Sequence, residues 1–329
     1  MKRFKVAKSL ALTVVIFICS FLQSYAQKNT GKLVVGIVVD QMRFDYLHRY
    51  YSKFGEGGFK RLMKEGFNFQ NAHYNYIPTF TAAGHASIYS GCTPSVHGII
   101  GNEWFDRKSG KKIDNVSDTT YRIVGSQKKD LNGKSPKNLL SNSIGDQLKM
   151  RYLFKPKVIG VSLKDRSAIL PGGHTANAAY WFDGDSSAGY FVTSSYYMDE
   201  LPAWVTNFNR QKLADKLLKK TWEPKMNIDE YVESRVDNNP YEIVLPGKQA
   251  PVFPYDLKKL NKEEGNAGYK LISLTPAGNT LLTDFAIEAL KNEKMGKTET
   301  TDLFSISYST PDIAGHSFGP WSVELQDIY

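Results

Sequence analysis

Cysteine is nearly absent: the 329-residue chain has two, Cys19 and Cys92. Cys19 is not preceded by a small residue, which argues against a lipid-attachment site. If the N-terminal stretch is removed, Cys92 stands alone. The remainder then has no internal disulfide and relies on its core, or on bound metal, for stability. Long apolar runs are also missing. The run Leu10 to Leu22 is short against the ~20 residues of a bilayer span, so a retained membrane anchor is not expected. Dense basic blocks are absent too. The formal charge is +9, but Lys2, Arg3, Lys5 and Lys8 supply four of the positive charges at the extreme N-terminus. The rest is mildly basic, and no nucleic-acid face is expected. There is no internal repeat and no low-complexity tract, which argues against a solenoid or array.

What is present begins with that N-terminus. The basic residues, the apolar run and Ser24-Tyr25-Ala26 read as a secretory signal, with small residues at the −3 and −1 positions and cleavage after Ala26. Residues 27–329 then form an exported body, periplasmic or secreted. With 41% hydrophobic residues the chain has ample material for a large core.

Leu33–Val39 is a continuous apolar run ending at Asp40, the pattern of a central strand covered on both faces. Phe59, Leu62 and Met63 follow at helical spacing, with Gly66 as the stop. Asn142 is placed to cap a helix carrying Ile144 and Leu148. Lys157–Val161 reads as a short buried strand, and Leu303–Tyr308 as another. Thr275-Pro276 is a cap and first-turn pair for a helix with Leu281, Leu282, Phe285 and Ala289 inward. Hairpins are expected at Trp104–Ile113 and Tyr180–Tyr197. The stretch 202–269 is charged and weakly periodic, with a helix near Gln211–Lys219, and reads as an inserted cap. The fold class is α/β, a mainly parallel sheet flanked by helices, in which ligands gather at the carboxyl ends of strands.

The chemistry-bearing residues fall at such ends. Asp40 closes the first strand; its bland reading is a helix cap. Thr81 heads Thr81-Ala82-Ala83-Gly84-His85, where a helix N-terminus and a divalent cation would both lower a hydroxyl pKa. His85 one turn on reads as packed and hydrogen-bonded. Asp312 and His316 are spaced to meet one metal, although such pairs are common by chance. Asn102 offers an amide donor or an ordinary turn residue. Lys164-Asp165-Arg166 is either a solvated loop or a cationic clamp suited to a doubly charged phosphate monoester.

Taken together, Val38-Val39-Asp40, Thr81 to His85, Tyr89-Ser90-Gly91, His97-Gly98-Ile99 and Asp312-Ile313-Ala314-Gly315-His316 resemble the alkaline phosphatase superfamily, in its type I phosphodiesterase/nucleotide pyrophosphatase branch. Gly101-Asn102 and Ser162 to Ser167 make the chain most similar to flavobacterial PafA-type alkaline phosphatases, which are secreted monoesterases with a threonine nucleophile. The resemblance implies two zinc ions, with Asp40 and Thr81 serving one and Asp312 and His316 the other. It implies that Asn102, Lys164 and Arg166 hold phosphoryl oxygens, that a phosphothreonine forms at Thr81, and that the partners are small phosphate monoesters. The family pattern also has a later Asp-His pair and a further His. Gly172-Gly173-His174 matches neither, so the chain is expected to be an N-terminal portion with the C-terminal part missing. The rival readings are a phosphodiesterase on the same metals and a non-catalytic binding protein with an incomplete site.

Overall fold

The run at Leu33–Val39 forms β1, but at a sheet edge rather than a centre. In this computed structural model, which describes residues 31–127, 132–185, 188–266 and 268–329, seven strands make one sheet. They are β1, β2 (Ser117–Val124), β3 (Asn132–Lys134), β4 (Val158–Ser162), β5 (Ala178–Asp183), β6 (Tyr190–Ser194) and β7 (Asp302–Tyr308), in spatial order β1-β7-β4-β5-β6-β2-β3. The first four in that order pair in parallel. The other pairings are antiparallel, so the sheet is mixed. The stretch read as a secretory signal lies outside the described residues.

Two helical layers cover the sheet. Alternate residues of β5 and β6 point to opposite faces, as strand geometry requires. On one face Tyr180, Phe182 and Phe191 meet Leu282 and Phe285 of α4 (Pro276–Asn292). Phe191 stacks on Phe285, with centroids 3.9 Å apart. On the other face Ala179, Trp181 and Val192 pack with Ala82 and Ala86 of α1 (Thr81–Ser90) and Ile169 and Leu170 of α3 (Asp165–Gly172). Segment 202–269 joins the first cluster through Val205, Phe208, Leu218, Trp222, Tyr255, Leu257 and Leu260.

Several expectations need correction. As the last strand in the order, β1 leaves Val34, Val35 and Ile37 exposed by 51%, 43% and 57%. An apolar run does not reveal whether a strand has one neighbour or two. β7, by contrast, is central and its apolar residues are buried. Helix α2 (Ile144–Arg151) is capped by Ser143, one residue beyond Asn142, in a reciprocal capping box with Asp146. Thr275 does sit at the N-cap of α4, but its hydroxyl donates backwards to the Ile272 carbonyl. The helix expected near Gln211–Lys219 is present as Leu213–Leu217, and a helix that was not expected, Ala203–Arg210, precedes it. Both hairpins and the Gly66 helix stop are as read.

One glycine sets the spacing of the layers beneath the site. A Cβ on Gly160 of β4 would lie 2.1 Å from the Ala168 carbonyl oxygen of α3. No larger residue lets α3 lie this close to the sheet, and α3 begins immediately after Lys164. Gly160→Ala is therefore expected to destabilise the fold by about 1–3 kcal/mol through overpacking. Urea unfolding followed by far-UV circular dichroism checks this; an unchanged midpoint would show that α3 can shift freely.

Candidate active site

The helix α1 starts at Thr81, with Phe80 in the N-cap position, so Thr81 is the first helical residue and not a cap. Its hydroxyl donates to Asp40 Oδ2 at 3.2 Å. Asp40 follows β1, and its N–H extends the sheet ladder by donating to the Tyr308 carbonyl at 3.0 Å. Asp312 lies in the first turn of α5 (Thr310–Phe318), which follows β7, and His316 lies one turn on. Their side chains approach at 3.3 Å, Nε2 to Oδ1. Lys164, at the N-cap of α3, reaches between the acids. Its Nζ donates to Asp40 Oδ2 at 2.8 Å and to Asp312 Oδ2. Burial pushes the Asp40 carboxyl up, but the Lys164 ammonium, with smaller help from the Thr81 hydroxyl, outweighs it and holds the group below the ordinary carboxylate value.

Asn102 is oriented by a backbone contact. The Ala82 N–H donates to its Oδ1 at 3.0 Å, which leaves the amide NH2 as its donor end. Arg166 stands in the first turn of α3 beside Asp165, which is not the solvated loop residue of the bland reading. Asp165 accepts from Lys134 Nζ at 3.0 Å, and Lys134 also holds Asp114 at 3.0 Å. Asp40, Thr81, Asn102, Lys164, Arg166, Asp312 and His316 all line one cavity of ≈ 700 Å³. The structure thus brings together every residue singled out from the sequence as a site candidate.

The other histidines are engaged elsewhere. His85 is buried, with Nδ1 at 2.7 Å from the Thr81 carbonyl and Nε2 at 2.7 Å from Ser307 Oγ. Burial lowers its pKa, so it is neutral and braces α1 against β7. His97 meets Ser87 Oγ and the Ile99 N–H. His174 meets Asp146 and the Leu139 carbonyl.

Sequence reasoning missed Gln41. Its Nε2 donates to Asp312 Oδ1 at 3.2 Å, linking the end of β1 to α5. A Cβ on Gly315 would lie 1.9 Å from Gln41 Oε1, so a larger residue there would push the Gln41 side chain aside. The only hint in the sequence was adjacency to Asp40.

For zinc the donors are right in kind and short in number. Oxygen and imidazole nitrogen suit that ion, but catalytic zinc takes about three protein ligands. Among the described residues no group of three or more His, Cys, Asp or Glu side chains is arranged to hold a metal. Asp40 with Thr81, and Asp312 with His316, are two half-sets.

Comparison with known proteins bears on this geometry. A family model described as type I phosphodiesterase / nucleotide pyrophosphatase matches residues 34–329. Alkaline phosphatase PafA of Elizabethkingia meningoseptica is 46% identical over 309 residues, 92% of this chain and 56% of that protein. Alkaline phosphatase PhoV of Synechococcus elongatus is 44% identical over 336 residues, 98% of this chain and 60% of that protein. A Myroides odoratus protein named calcium-transporting ATPase is 46% identical over 325 residues, 98% of this chain and 58% of that protein. The chain thus spans 56–60% of the length of these relatives. The crystal structure of wild-type PafA matches with a TM-score of 0.86 at 45% identity, over 92% of this chain and 57% of that one. A PafA variant altered at a threonine, an asparagine, a lysine and an arginine matches with a TM-score of 0.87 at 44% identity, again over 92% and 57%.

Lys164 neutralises two largely buried acids, so Lys164→Ala is expected to cost about 3 kcal/mol near neutral pH. The sign with pH follows from Asp40. A depressed carboxyl contributes stability above its unfolded value of 3.8 and loses it as pH falls through the lower folded value. The penalty of the substitution should therefore shrink on acidification. Urea midpoints across acid and neutral pH test it; a pH-independent penalty would place the effect in packing instead.

Proposed function

This chain belongs to the type I phosphodiesterase / nucleotide pyrophosphatase family, and from that premise we propose that the cavity at the strand ends is the phosphoryl-transfer site of an exported phosphate monoester hydrolase of the alkaline phosphatase kind. The observation that carries the reading is the convergence of Thr81, Asn102, Lys164 and Arg166 on one cavity with Asp40, Asp312 and His316. The four residue types altered in the PafA variant occur here in the same order and at the same separations along the chain.

Thr81 Oγ attacks phosphorus in line. Its bond to phosphorus forms as the bond from phosphorus to the leaving oxygen breaks, the hydroxyl proton passes through solvent to that oxygen, which departs as the alcohol, and water later releases phosphate from the phosphothreonine. Asp40 orients the hydroxyl. Its carboxyl, held below the ordinary value, is a weak base and does not by itself take the hydroxyl proton. Asn102, Lys164 and Arg166 supply donors to the non-bridging oxygens. Zinc belongs to the proposal as two ions, one on Asp40 and Thr81, the other on Asp312 and His316. Each half-set is incomplete among the described residues; ions held there would supply positive charge at the reacting phosphoryl group. Segment 202–269 is proposed as a cap: its Ile243 N–H bonds the Ser317 carbonyl beside His316. Among the described residues no helix is long and apolar enough to cross a membrane.

A phosphodiesterase is the second reading, favoured by the description of the matching family model. Lys164 and Arg166 together favour the dianionic monoester over a singly charged diester. In the full-length enzyme, Lys164→Ala with Arg166→Ala is expected to cost roughly 3 kcal/mol in transition-state binding of a monoester. A matched diester should lose less; equal losses in kcat/KM would remove the monoester assignment. Thr81→Ala should abolish aryl phosphate hydrolysis with an unchanged circular dichroism spectrum, and undiminished turnover would sink the nucleophile. Two zinc ions per chain with turnover separate either enzyme from a non-catalytic binding protein.

A further inference from the structure

Away from the cavity, two buried carboxylates and a partly buried third have little among the described residues to neutralise them. Asp237 and Glu242 lie in the irregular segment between Tyr231 and Lys248, and Glu324 lies on α6 (Val323–Ile328). Glu242 is 7% exposed, and neither of its carboxylate oxygens has a hydrogen-bond partner among the described residues. Glu324 is 0% exposed; one oxygen accepts the Tyr255 hydroxyl and the other has no partner. Asp237 Oδ2 accepts the Phe253 N–H at 3.1 Å, and Oδ1 has no partner. An unpaired buried carboxylate is too costly to persist, so such groups gain a cation or keep a proton.

The surroundings favour the proton. Among the described residues no group of three acids is arranged to hold a metal. Lys248 gives its ammonium to the Pro254 carbonyl at 2.8 Å and lies over the Tyr255 ring at 4.4 Å. Burial pushes Glu242 up to about 9, with repulsion from Glu324 and Asp237 adding to it. Burial also pushes Glu324 up to about 7; the Tyr255 hydroxyl opposes this, while Asp237 and Asp327 reinforce it. Burial raises Asp237 against the pull of the Phe253 N–H and Lys248.

The cluster sits where a change in charge has mechanical consequences. The backbone on either side of it is tied to α5 and to the connection between α5 and α6. The Ile243 N–H donates to the Ser317 carbonyl at 2.8 Å, and the Arg235 N–H to the Trp321 carbonyl at 2.8 Å. Ser317 lines the cavity next to His316.

We propose that Asp237, Glu242 and Glu324 form a proton-held latch that seats segment 231–248 on α5 and α6. With protons in place the acids are neutral and pack together. Without them they repel, and the segment lifts from the Ser317 side of the cavity. The latch is a property of the packing and does not rest on the hydrolase reading. An acid with a raised folded pKa gives stability that is full below its ordinary value, 4.5 for glutamate, and is lost as pH rises through the folded values. Release therefore falls between neutral and alkaline pH.

Hydrogen exchange on the 329-residue chain tests this at the Arg235 and Ile243 amides. Their protection factors are expected to fall about tenfold or more from about pH 6 to about pH 10, while amides of β4 and β5 hold. Glu242→Gln, neutral at every pH, should flatten that fall. Tyr255→Phe removes the donor that favours ionised Glu324, so it should move the release to higher pH, and it decides the matter if the Gln variant does not fold. Unchanged protection in the native chain, or an undiminished fall in Glu242→Gln, overturns the latch. Calcium chloride restoring protection at alkaline pH in the native chain but not in Glu242→Gln would show a cation site and overturn the proton assignment.

Discussion

One ammonium between two carboxylates holds the strand ends in place. Asp40 and Asp312 are far apart in sequence and reach the cavity from β1 and α5. Like charges this deep repel by several kcal/mol at effective dielectrics typical of proteins. Lys164 offsets that repulsion by bonding both. The contact also fixes β1, an edge strand whose apolar side chains are half exposed and which, among the described residues, has a neighbour on one side only. Its register on β7 is extended past the last paired residue by the Asp40 N–H and by Gln41 on Asp312. A strand weakly held by burial is thus pinned by charge at the end that carries chemistry.

The rest of the site depends on close approaches that small residues allow. Gly160 lets α3 descend onto β4, so that Lys164 and Arg166 emerge at the carboxyl edge. Gly315 lets the Gln41 amide lie against α5. His85 ties the first turn of α1 to Ser307 of β7 and so fixes Thr81 relative to Asp312. These contacts carry no chemistry themselves. They set the positions of groups that do.

This division explains what the sequence disclosed. Thr81, Asp40, Asn102, Lys164, Arg166, Asp312 and His316 each carry only a weak local signal, a strand terminus, a helix start or an i, i+4 pair, and it is their combined resemblance to a family pattern that singles them out. Gln41 carries no such signal, and its role exists only through Asp312, far away in the chain. The edge position of β1 and the antiparallel half of the sheet were not legible, because both are decided by which strands become neighbours. The same holds for Asp237, Glu242 and Glu324. Each looks like an ordinary surface acid in sequence, and only burial against one another makes them unusual.

The charge count at the cavity bears on how the proposed hydrolase would work. Asp40 and Asp312 bring two negative charges to the cavity lining, and Arg43, Lys164 and Arg166 bring three positive ones, so these side chains leave one net positive charge. A phosphate monoester dianion entering it would meet only a weak net attraction, because Lys164 is already committed to the two acids and Arg43 is paired with Asp45. The ammonium turns toward a phosphoryl oxygen only when other positive charge takes over Asp40 and Asp312, since leaving two buried carboxylates unpaired costs more than one new contact returns. Divalent cations on the Asp40 and Asp312 sides would supply that charge and release Lys164 at once. On this view the Lys164 bridge is the resting arrangement of a clamp. The same two acids that restrain it would be the groups whose neutralisation frees it to bind substrate.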